Sequence, residues 1–256
     1  MSEQKWPQRV WIARHGQSAG NVARDRAYAT AEPLIDVATR DMDTPLSELG
    51  ERQAAALGRW FGALPADEQP TVLLCSPYVR AVETAEIVLD IAGIARERLA
   101  VQRDERLREK EFGVLDRLTK VGIRQKYPEL SDQRTHVGKF YFRPPGGESW
   151  CDVILRLRSV LDTITREYRR ERVLIVGHQV IVNCLRYLLE RMSEAQILAV
   201  DRDADVPNCS VTTYEFDPNA GRAGKLVPCL VNFVAPLEAA GAPITAAPDV
   251  PAAPKS

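Results

Sequence analysis

Near the amino terminus the chain carries the stretch Val10–Asn21 (VWIARHGQSAGN), in which two different nucleophiles could do chemistry. Residues 16–20 match the pattern G-x-S-x-G, the turn that presents a nucleophilic serine in α/β-hydrolases. One step earlier, a histidine stands beside an arginine directly after a short apolar run. The choice between Ser18 and His15 separates cleavage of carboxyl esters from cleavage of phosphate esters.

The serine hypothesis is the weaker of the two. In α/β-hydrolases the serine turn follows a central strand, after several strands have already formed, whereas here one candidate strand precedes Ser18. The pattern is also short in a chain with 15 glycines. We therefore expect Ser18 to begin a helix, with its hydroxyl accepting a hydrogen bond from a nearby backbone amide.

The elements that must position these residues are predicted from hydrophobic patterning. Short apolar and β-branched runs predict strands at 9–13, 71–75, 99–102, 172–176, 211–216 and 226–233. Helical spacing predicts helices at 47–61 with Ser47 as N-cap, at 77–91 with Pro77 in the first position, at 149–170, and from 179 to about 191. This alternation predicts an α/β three-layer sandwich with a mostly parallel central sheet flanked by helices.

Bulk composition excludes several classes of function. The 256 residues are 45% hydrophobic, and 34 basic against 35 acidic residues leave a net charge of −1, which does not favour a nucleic-acid partner. Five cysteines without C-x-x-C spacing predict neither a disulfide framework nor a structural zinc site. With no signal-peptide pattern and no apolar run of spanning length, we expect a cytoplasmic protein that does not associate with membranes.

We predict one domain over residues 1–234, with cap-forming insertions near 24–43 and 114–145. The first insertion carries Arg24, Arg26 and Arg40. From residue 235 to 256 the composition changes to alanine and proline, which predicts a flexible tail.

The second insertion contains Lys139-Phe140-Tyr141-Phe142-Arg143, a basic and aromatic cluster that suits a lid over a binding site. Two interpretations of it stay open. The cluster could recognise a sugar or a second acidic group of a substrate, or its aromatic rings could pack inside the cap while its charges face solvent. His136 lies nearby, and we assign it no role.

Two histidines and two arginines converge on the predicted sheet. His15 and His178 each follow a strong strand, and Arg80 lies in the first turns of the helix after strand 71–75, where ligands of parallel sheets bind. The planar arginine fork, here from Arg14 and Arg80, matches phosphate oxygens. Metals are more often held by histidine or cysteine with carboxylates, and no H-x-x-H spacing occurs. The pattern favours a phosphoryl site that needs no metal and no cofactor.

These residues resemble the histidine phosphatase superfamily, whose fold is phosphoglycerate-mutase-like. The matching motifs, in the family's order, are Arg14-His15-Gly16 with Asn21, Thr44–Gly50 (TPLSELG), Ser76–Ala85 (SPYVRAVETA), Leu107–Gly113 (LREKEFG), Pro145–Ser149 (PGGES) and Val176-Gly177-His178. They cover roughly residues 10–216, and their ordered conjunction is far more specific than any one of them.

The resemblance implies a mechanism. His15 attacks phosphorus and is transiently phosphorylated. Glu109 protonates the leaving oxygen and then activates the water that hydrolyses the phosphohistidine. The side chains that this resemblance assigns to the phosphoryl oxygens are Arg14, Asn21, Arg80, His178 and Gln179.

The proton donor has competitors in sequence. Glu105 and Glu111 lie in the same charge-dense run, and alignment through Phe112-Gly113 selects Glu109. Such a donor must hold its proton near neutral pH, which burial or a neighbouring anion favours.

The same chemistry serves phosphatases and mutases. The chain lacks the tryptophan that cofactor-dependent mutases carry just before Asn21, and its segment from Glu109 to His178 is shorter than theirs. These departures favour the phosphatase branch acting on small phosphorylated metabolites, with a phosphoglycerate-type mutase as the alternative. A non-catalytic phospho-ligand sensor is a further alternative, although such proteins typically lose the nucleophile or the acid. The sequence makes no prediction of oligomeric state.

Overall fold

The structure is a computed structural model that describes residues 4–247. Its centre is a six-stranded sheet built from β1 (Arg9–Arg14), β2 (Val72–Cys75), β3 (Ala100–Arg103), β4 (Arg172–Gly177), β5 (Val211–Asp217) and β6 (Lys225–Phe233). The helices are α1 (Ala19–Ala29), α2 (Glu48–Gly62), α3 (Val79–Ala92), α4 (Lys120–Lys126), α5 (Pro128–Val137), α6 (Trp150–Glu167), α7 (Gln179–Leu189), α8 (Glu194–Asp203) and α9 (Ala235–Ala239).

The strand order is β3-β2-β4-β1-β5-β6. The first four of these strands are mutually parallel, whereas β5 and β6 are antiparallel additions. Arg14 pairs with Gly177, and Cys75 pairs with Val176, so β1, β2 and β4 end at the same level. The residues that follow these strands therefore meet at one edge of the sheet.

Side chains of the central strands alternate between two cores. Val10 and Ile12 face one core, which contains the buried faces of α6 and α7. Trp11 and Ala13 face the other, which contains α2 and α3. The predicted three-layer α/β sandwich is confirmed by these two apolar layers on opposite faces of the sheet. Between residues 4 and 247, no helix combines the length and the apolar character that crossing a bilayer requires.

The predicted strands and long helices all form, with ends that move by up to three residues. The prediction that Pro77 begins a helix is wrong, since α3 begins at Val79 with Tyr78 as its N-cap. Ser47 does cap α2, where its hydroxyl accepts from the Gly50 amide at 3.1 Å. Helices α4, α5 and α8 were not predicted. Two of them, α4 and α5, lie in the expected cap insertion at 114–145.

The two insertions pack against each other. The Ile35 amide donates to the Arg117 carbonyl oxygen at 2.8 Å, and the Thr119 amide donates to the Pro33 carbonyl oxygen at 3.0 Å. A small apolar cluster lies beneath them, formed by Leu115, Leu118, Ile123 and Phe142. The cap is thus a separate, smaller packing unit beside the two large cores.

The prediction of a flexible tail is wrong for residues 235–247. Helix α9 follows β6 almost directly, and Leu237 is fully buried in the core that α2 and α3 share. Pro236 of this helix is also buried, and α9 packs against α2, so apolar contacts hold the segment in place. The remaining part of the predicted tail, 248–256, lies outside the described residues.

Candidate active site

His15 follows β1 and is fully buried. Its Nδ1 lies 2.6 Å from the carbonyl oxygen of Gly16, and its Nε2 lies 3.2 Å from Nε of Arg80. A carbonyl oxygen accepts only and a guanidinium nitrogen donates only, so the proton of a neutral ring resides on Nδ1. This arrangement leaves the lone pair of Nε2 directed toward the arginine.

The loop that carries His15 is fixed by two other motifs. The Gly16 amide donates to Oγ1 of Thr84 at 3.0 Å, and that hydroxyl donates to the Arg80 carbonyl oxygen at 2.7 Å. A Cβ atom on Gly16 would lie 2.5 Å from the Gly50 carbonyl oxygen. Glycine is therefore required for the close approach between this loop and the start of α2.

His178 follows β4 as the N-cap residue of α7. Its ring centroid lies 5.1 Å from that of His15, with a tilt of 63° between the planes. Nε2 of His178 shares a hydrogen bond of 2.8 Å with Oγ of Ser76, which follows β2. The ring of Tyr78 packs edge-on against His178 at 5.1 Å. Three strand ends thus supply one histidine pair and the hydroxyl that orients its second member.

Arg80 enters from the first turn of α3 and is 1% exposed. Beyond its contact with His15, its Nη1 donates to the Asp41 carbonyl oxygen at 2.6 Å and its Nη2 to the Asp41 carboxylate at 3.3 Å. Asp41 belongs to the insertion at 24–43 and was not predicted as a site residue. The insertion therefore contacts the site directly.

Arg14 and Asn21 form another part of the site, and both are buried. Oδ1 of Asn21 accepts from the Ser18 amide at 2.9 Å, which completes a capping box at the start of α1. This fixes the amide plane and directs Nδ2 away from the helix, where it donates to the Ala247 carbonyl oxygen at 3.2 Å. Arg14 donates to the same oxygen from Nη2 at 2.5 Å.

The expectation for Ser18 is confirmed: its hydroxyl caps α1 by accepting from the Asn21 amide at 3.1 Å. The side chain is 2% exposed. Its capping role leaves the hydroxyl inside the helix start, where a nucleophile would have no access to an ester.

Burial distinguishes the three candidate acids. Glu105 and Glu111 are exposed, whereas Glu109 is 0% exposed. Oε1 of Glu109 accepts from the Lys110 amide at 2.7 Å. Glu111 accepts a hydrogen bond of 3.0 Å from the Tyr78 hydroxyl, so this segment adjoins the ring that packs on His178.

A partly buried ion pair positions the Glu109 segment. Arg156 of α6 donates to the Glu109 carbonyl oxygen at 3.2 Å and to the Glu148 carboxylate at 3.0 Å. The second Glu148 oxygen accepts from the Glu111 amide at 3.0 Å. Desolvation raises the pKa of Glu148, but hydrogen bonds and charge from Arg156 prevail and hold it below its usual value. Glu148 therefore stays ionised at neutral pH, and its contacts with Arg156 and the Glu111 amide persist.

Gln179, the first residue of α7, is 5% exposed, and its Nε2 donates to the Asp205 carboxylate at 2.9 Å. Nη1 of Arg14 donates to the carbonyl oxygen of Val206, the residue that follows Asp205, at 2.6 Å. The loop after α8 thus contacts two of the predicted phosphate-binding residues.

The aromatic cluster of the second insertion packs inward. Phe140 and Phe142 are each 5% exposed, while Tyr141 is 55% exposed. Lys139 forms an ion pair with Asp201, and Arg143 forms one with Asp152. These contacts favour the packing interpretation over a lid that recognises substrate. His136 lies exposed near the end of α5.

Sequence reasoning missed several residues that support the site. Ser76 and Thr84 lie within the recognised motif of α3, and their hydroxyls are explained only by the contacts with His178 and Gly16. Asn208, whose Nδ2 donates to the His15 carbonyl oxygen at 3.0 Å, lies in a loop without any motif. No sequence signal indicated that loop.

A family model described as "Histidine phosphatase superfamily (branch 1)" matches residues 10–227. The chain therefore belongs to the histidine phosphatase superfamily, and the arrangement of His15, His178 and Arg80 is the part of the fold in which its motifs meet.

Named relatives differ in activity. A Caenorhabditis elegans 6-phosphofructo-2-kinase/fructose-2,6-bisphosphatase is 30% identical over 224 residues, covering 84% of this chain but only 43% of the relative. A 2,3-bisphosphoglycerate-dependent phosphoglycerate mutase of Rhizobium meliloti is 29% identical over 200 residues, covering 77% of this chain and 86% of the mutase. Among solved structures, a mycobacterial glucosyl-3-phosphoglycerate phosphatase with inorganic phosphate has a TM-score of 0.64 at 25% identity, covering 90% and 99% of the two chains.

Taken together, the site offers a ring nitrogen whose lone pair faces a buried guanidinium, a second histidine beside it, and a buried carboxyl group on a clamped segment. Such a set suits transfer of a tetrahedral anion, because the cations neutralise charge that spreads over its oxygens.

Proposed function

We propose that the chain is a metal-independent phosphomonoesterase that hydrolyses small phosphorylated metabolites through a phosphohistidine at His15. The observation that carries the proposal is the hydrogen-bonding of the His15 ring, with Nδ1 on the Gly16 carbonyl oxygen and Nε2 facing Arg80. This fixes the tautomer in which Nε2 is nucleophilic and brings a cation to the side where a phosphoryl group would bind.

In the first step Nε2 of His15 attacks phosphorus, the bond from phosphorus to the leaving oxygen breaks, and Glu109 transfers its proton to that oxygen. In the second step Glu109, now a carboxylate, takes a proton from water while the water oxygen attacks phosphorus and the nitrogen–phosphorus bond breaks. The products are an alcohol and inorganic phosphate. Arg14, Arg80 and His178 neutralise the equatorial oxygens in both steps.

Independence from metal is inferred from the donor set. Arginines accompany the histidines, whereas a catalytic metal is usually bound by histidine with carboxylate or cysteine ligands. The proposal also includes a cytoplasmic location, which agrees with five cysteines that all remain unpaired.

The test is release of phosphate from an aryl phosphate by the wild-type protein in the presence of a chelator. Wild type should be active, and His15→Ala should lose at least about 10³-fold of that activity, because the nucleophile is removed. His136→Ala is the matched control, since that histidine is exposed on α5. Activity in His15→Ala equal to wild type would refute the phosphohistidine route.

The mutase alternative is favoured by the match to nearly the full length of the Rhizobium meliloti enzyme. Incubation with 3-phosphoglycerate and 2,3-bisphosphoglycerate distinguishes the two. Formation of 2-phosphoglycerate faster than inorganic phosphate would identify a mutase, whereas the phosphatase proposal predicts phosphate as the main product.

A further inference from the structure

A segment distant in sequence from His15 lies beside the loop that carries it. The segment starts from α9, whose Leu237 is buried, and the Ala242 amide donates to the Leu237 carbonyl oxygen at 2.9 Å. One residue later, Nε2 of Gln53 in α2 donates to the Pro243 carbonyl oxygen at 2.8 Å. We call residues 242–247 the strap.

Thr245 is the central anchor of the strap. Its carbonyl oxygen accepts from the Asn208 amide at 2.7 Å, and its hydroxyl donates to Oδ1 of Asn208 and accepts from Gln53, both at 3.0 Å. The same two partners support the nucleophile loop, since Asn208 donates to the His15 carbonyl oxygen and Gln53 accepts from the Gln17 amide at 2.9 Å.

The strap then reaches the predicted phosphate donors. The Ala247 carbonyl oxygen lies 2.5 Å from Nη2 of Arg14 and 3.2 Å from Nδ2 of Asn21. Both donor residues are at most 1% exposed. An oxygen atom that accepts from both donors occupies the position that a phosphoryl oxygen bridging them would need.

We propose that the strap is an internal ligand, which competes with the substrate phosphoryl group for Arg14 and Asn21. The identity of the competing ligand rests on the function proposed above. Two oxygens cannot share one position, so binding of either excludes the other.

The competition can be reversed by substrate because the two ligands differ in charge. The strap offers a neutral carbonyl oxygen, whereas a phosphate ester offers a dianion, which adds charge–charge attraction to the Arg14 and Arg80 guanidinium groups. The apparent affinity for substrate is then the intrinsic affinity multiplied by the fraction of molecules in which the strap is released.

The first experiment uses the wild-type chain and hydrogen–deuterium exchange with increasing inorganic phosphate. Phosphate should release the strap, so deuterium uptake should rise over 242–247 and at the Asn208 amide, which donates to the strap in the free protein. The rise should saturate with the phosphate occupancy. Unchanged or reduced uptake at saturating phosphate would overturn the proposal.

The second experiment compares Thr245→Val with Ile244→Ala in the full-length chain. Valine retains the volume of threonine but loses both side-chain hydrogen bonds of the anchor, whereas Ile244 is 45% exposed and serves as the control. Thr245→Val should bind inorganic phosphate about five- to tenfold more tightly than wild type, because two hydrogen bonds of ordinary strength are lost from the bound strap. Ile244→Ala should match wild type.

Steady-state kinetics distinguish release of the strap from damage to the active site. Thr245→Val should lower the KM of an aryl phosphate and leave kcat unchanged, whereas a displaced His15 would lower kcat. Phosphate binding in Thr245→Val that is unchanged or weaker would refute the strap.

Failure of the two proposals is distinguishable. A wild-type protein without phosphatase activity that still shows the exchange and affinity shifts would refute the proposed function and retain the strap. An active enzyme without those shifts would support the proposed function and refute the strap.

Discussion

The strand-end side of the site and its covering side are built in different ways. On the strand-end side, His15, His178 and Ser76 each follow a parallel strand whose neighbours fix its register. On the covering side, Asp41 and the strap reach the same site from long connections and attach through polar contacts to Arg80, Arg14 and Asn21. Both sides contact the arginines. The first is part of both large cores, whereas the strap reaches only one of them, through Leu237 and Ala242.

This difference places the proposed phosphoryl transfer on the strand-end side and the proposed competition with substrate on the covering side. Moving His15 would require a shift of β1 against two strands, which close-packed cores resist. Releasing the strap breaks a few hydrogen bonds of modest net strength, with apolar burial concentrated at Leu237.

The largest effect is expected from Arg80→Gln, which removes the guanidinium that faces Nε2 of His15. We expect kcat/KM for an aryl phosphate to fall about 10²–10³-fold, the usual cost of losing one donor to developing negative charge. Arg40→Gln is the control, because Arg40 lies in the insertion and pairs with Asp43 at the surface. A similar loss in Arg40→Gln would show that the insertion contributes to the chemistry.

Glu109→Gln tests a third segment, which Arg156 and Glu148 hold, for a chemical role. Hydrolysis of an alkyl phosphate should slow by about 10²-fold, since general acid catalysis contributes at least that much. An activated aryl phosphate, whose leaving group needs little protonation, should lose much less, and inorganic phosphate should bind as in wild type. Glu105→Gln, which changes an exposed acid, should slow neither substrate. Equal slowing of both substrates by Glu109→Gln would contradict the proton-donor role.

Lys110, which follows Glu109 in that segment, tests whether a desolvated charge lowers the free energy of unfolding. Desolvation lowers the pKa of this lysine from 10.5 to about 8. The unfolded chain therefore binds more protons between pH 8 and 10.5, and wild type should gain stability as pH rises through that interval. Lys110→Met should be more stable than wild type by about 2–3 kcal/mol below pH 8, and the difference should shrink toward pH 10.5. Urea denaturation of both proteins at several pH values measures it, and a pH-independent difference would exclude the desolvated lysine.

The smallest effect is expected from Lys139→Ala and Arg143→Ala. Because Phe140 and Phe142 pack inward, the relative rates over a panel of phosphate esters should change by less than about twofold. Arg143→Ala should also cost little stability, about 0.5 kcal/mol or less, since its ion pair is exposed. A selective loss for substrates with a second acidic group would restore the recognition hypothesis.

Much of the candidate site could be predicted from sequence because several of its residues directly follow strands. A parallel strand with buried neighbours forces the next residue to the ligand-binding edge, so His15 and His178 could be paired without coordinates. Burial then separated Glu109 from Glu105 and Glu111, a distinction that composition cannot make because all three lie in one charged run.

The strap shows what local patterns cannot determine. Residues 235–247 have the composition of a disordered tail, yet the buried side chains of Pro236 and Leu237 and hydrogen bonds from Gln53 and with Asn208 hold them beside the His15 loop. Asp41 likewise lies in a polar loop, and only the folded chain brings it to Arg80.

The sequence by itself therefore determined the fold class, the family motifs and the residues at the strand ends, because periodicity and strand–helix connections are local properties of the chain. The tertiary structure alone decided how the His15 ring is protonated, which acid is buried, and what covers the arginines. Each of these depends on atoms that are distant in sequence, such as Arg80 beside His15 and Ala247 beside Arg14. Such contacts form only when both large cores and the cap pack together.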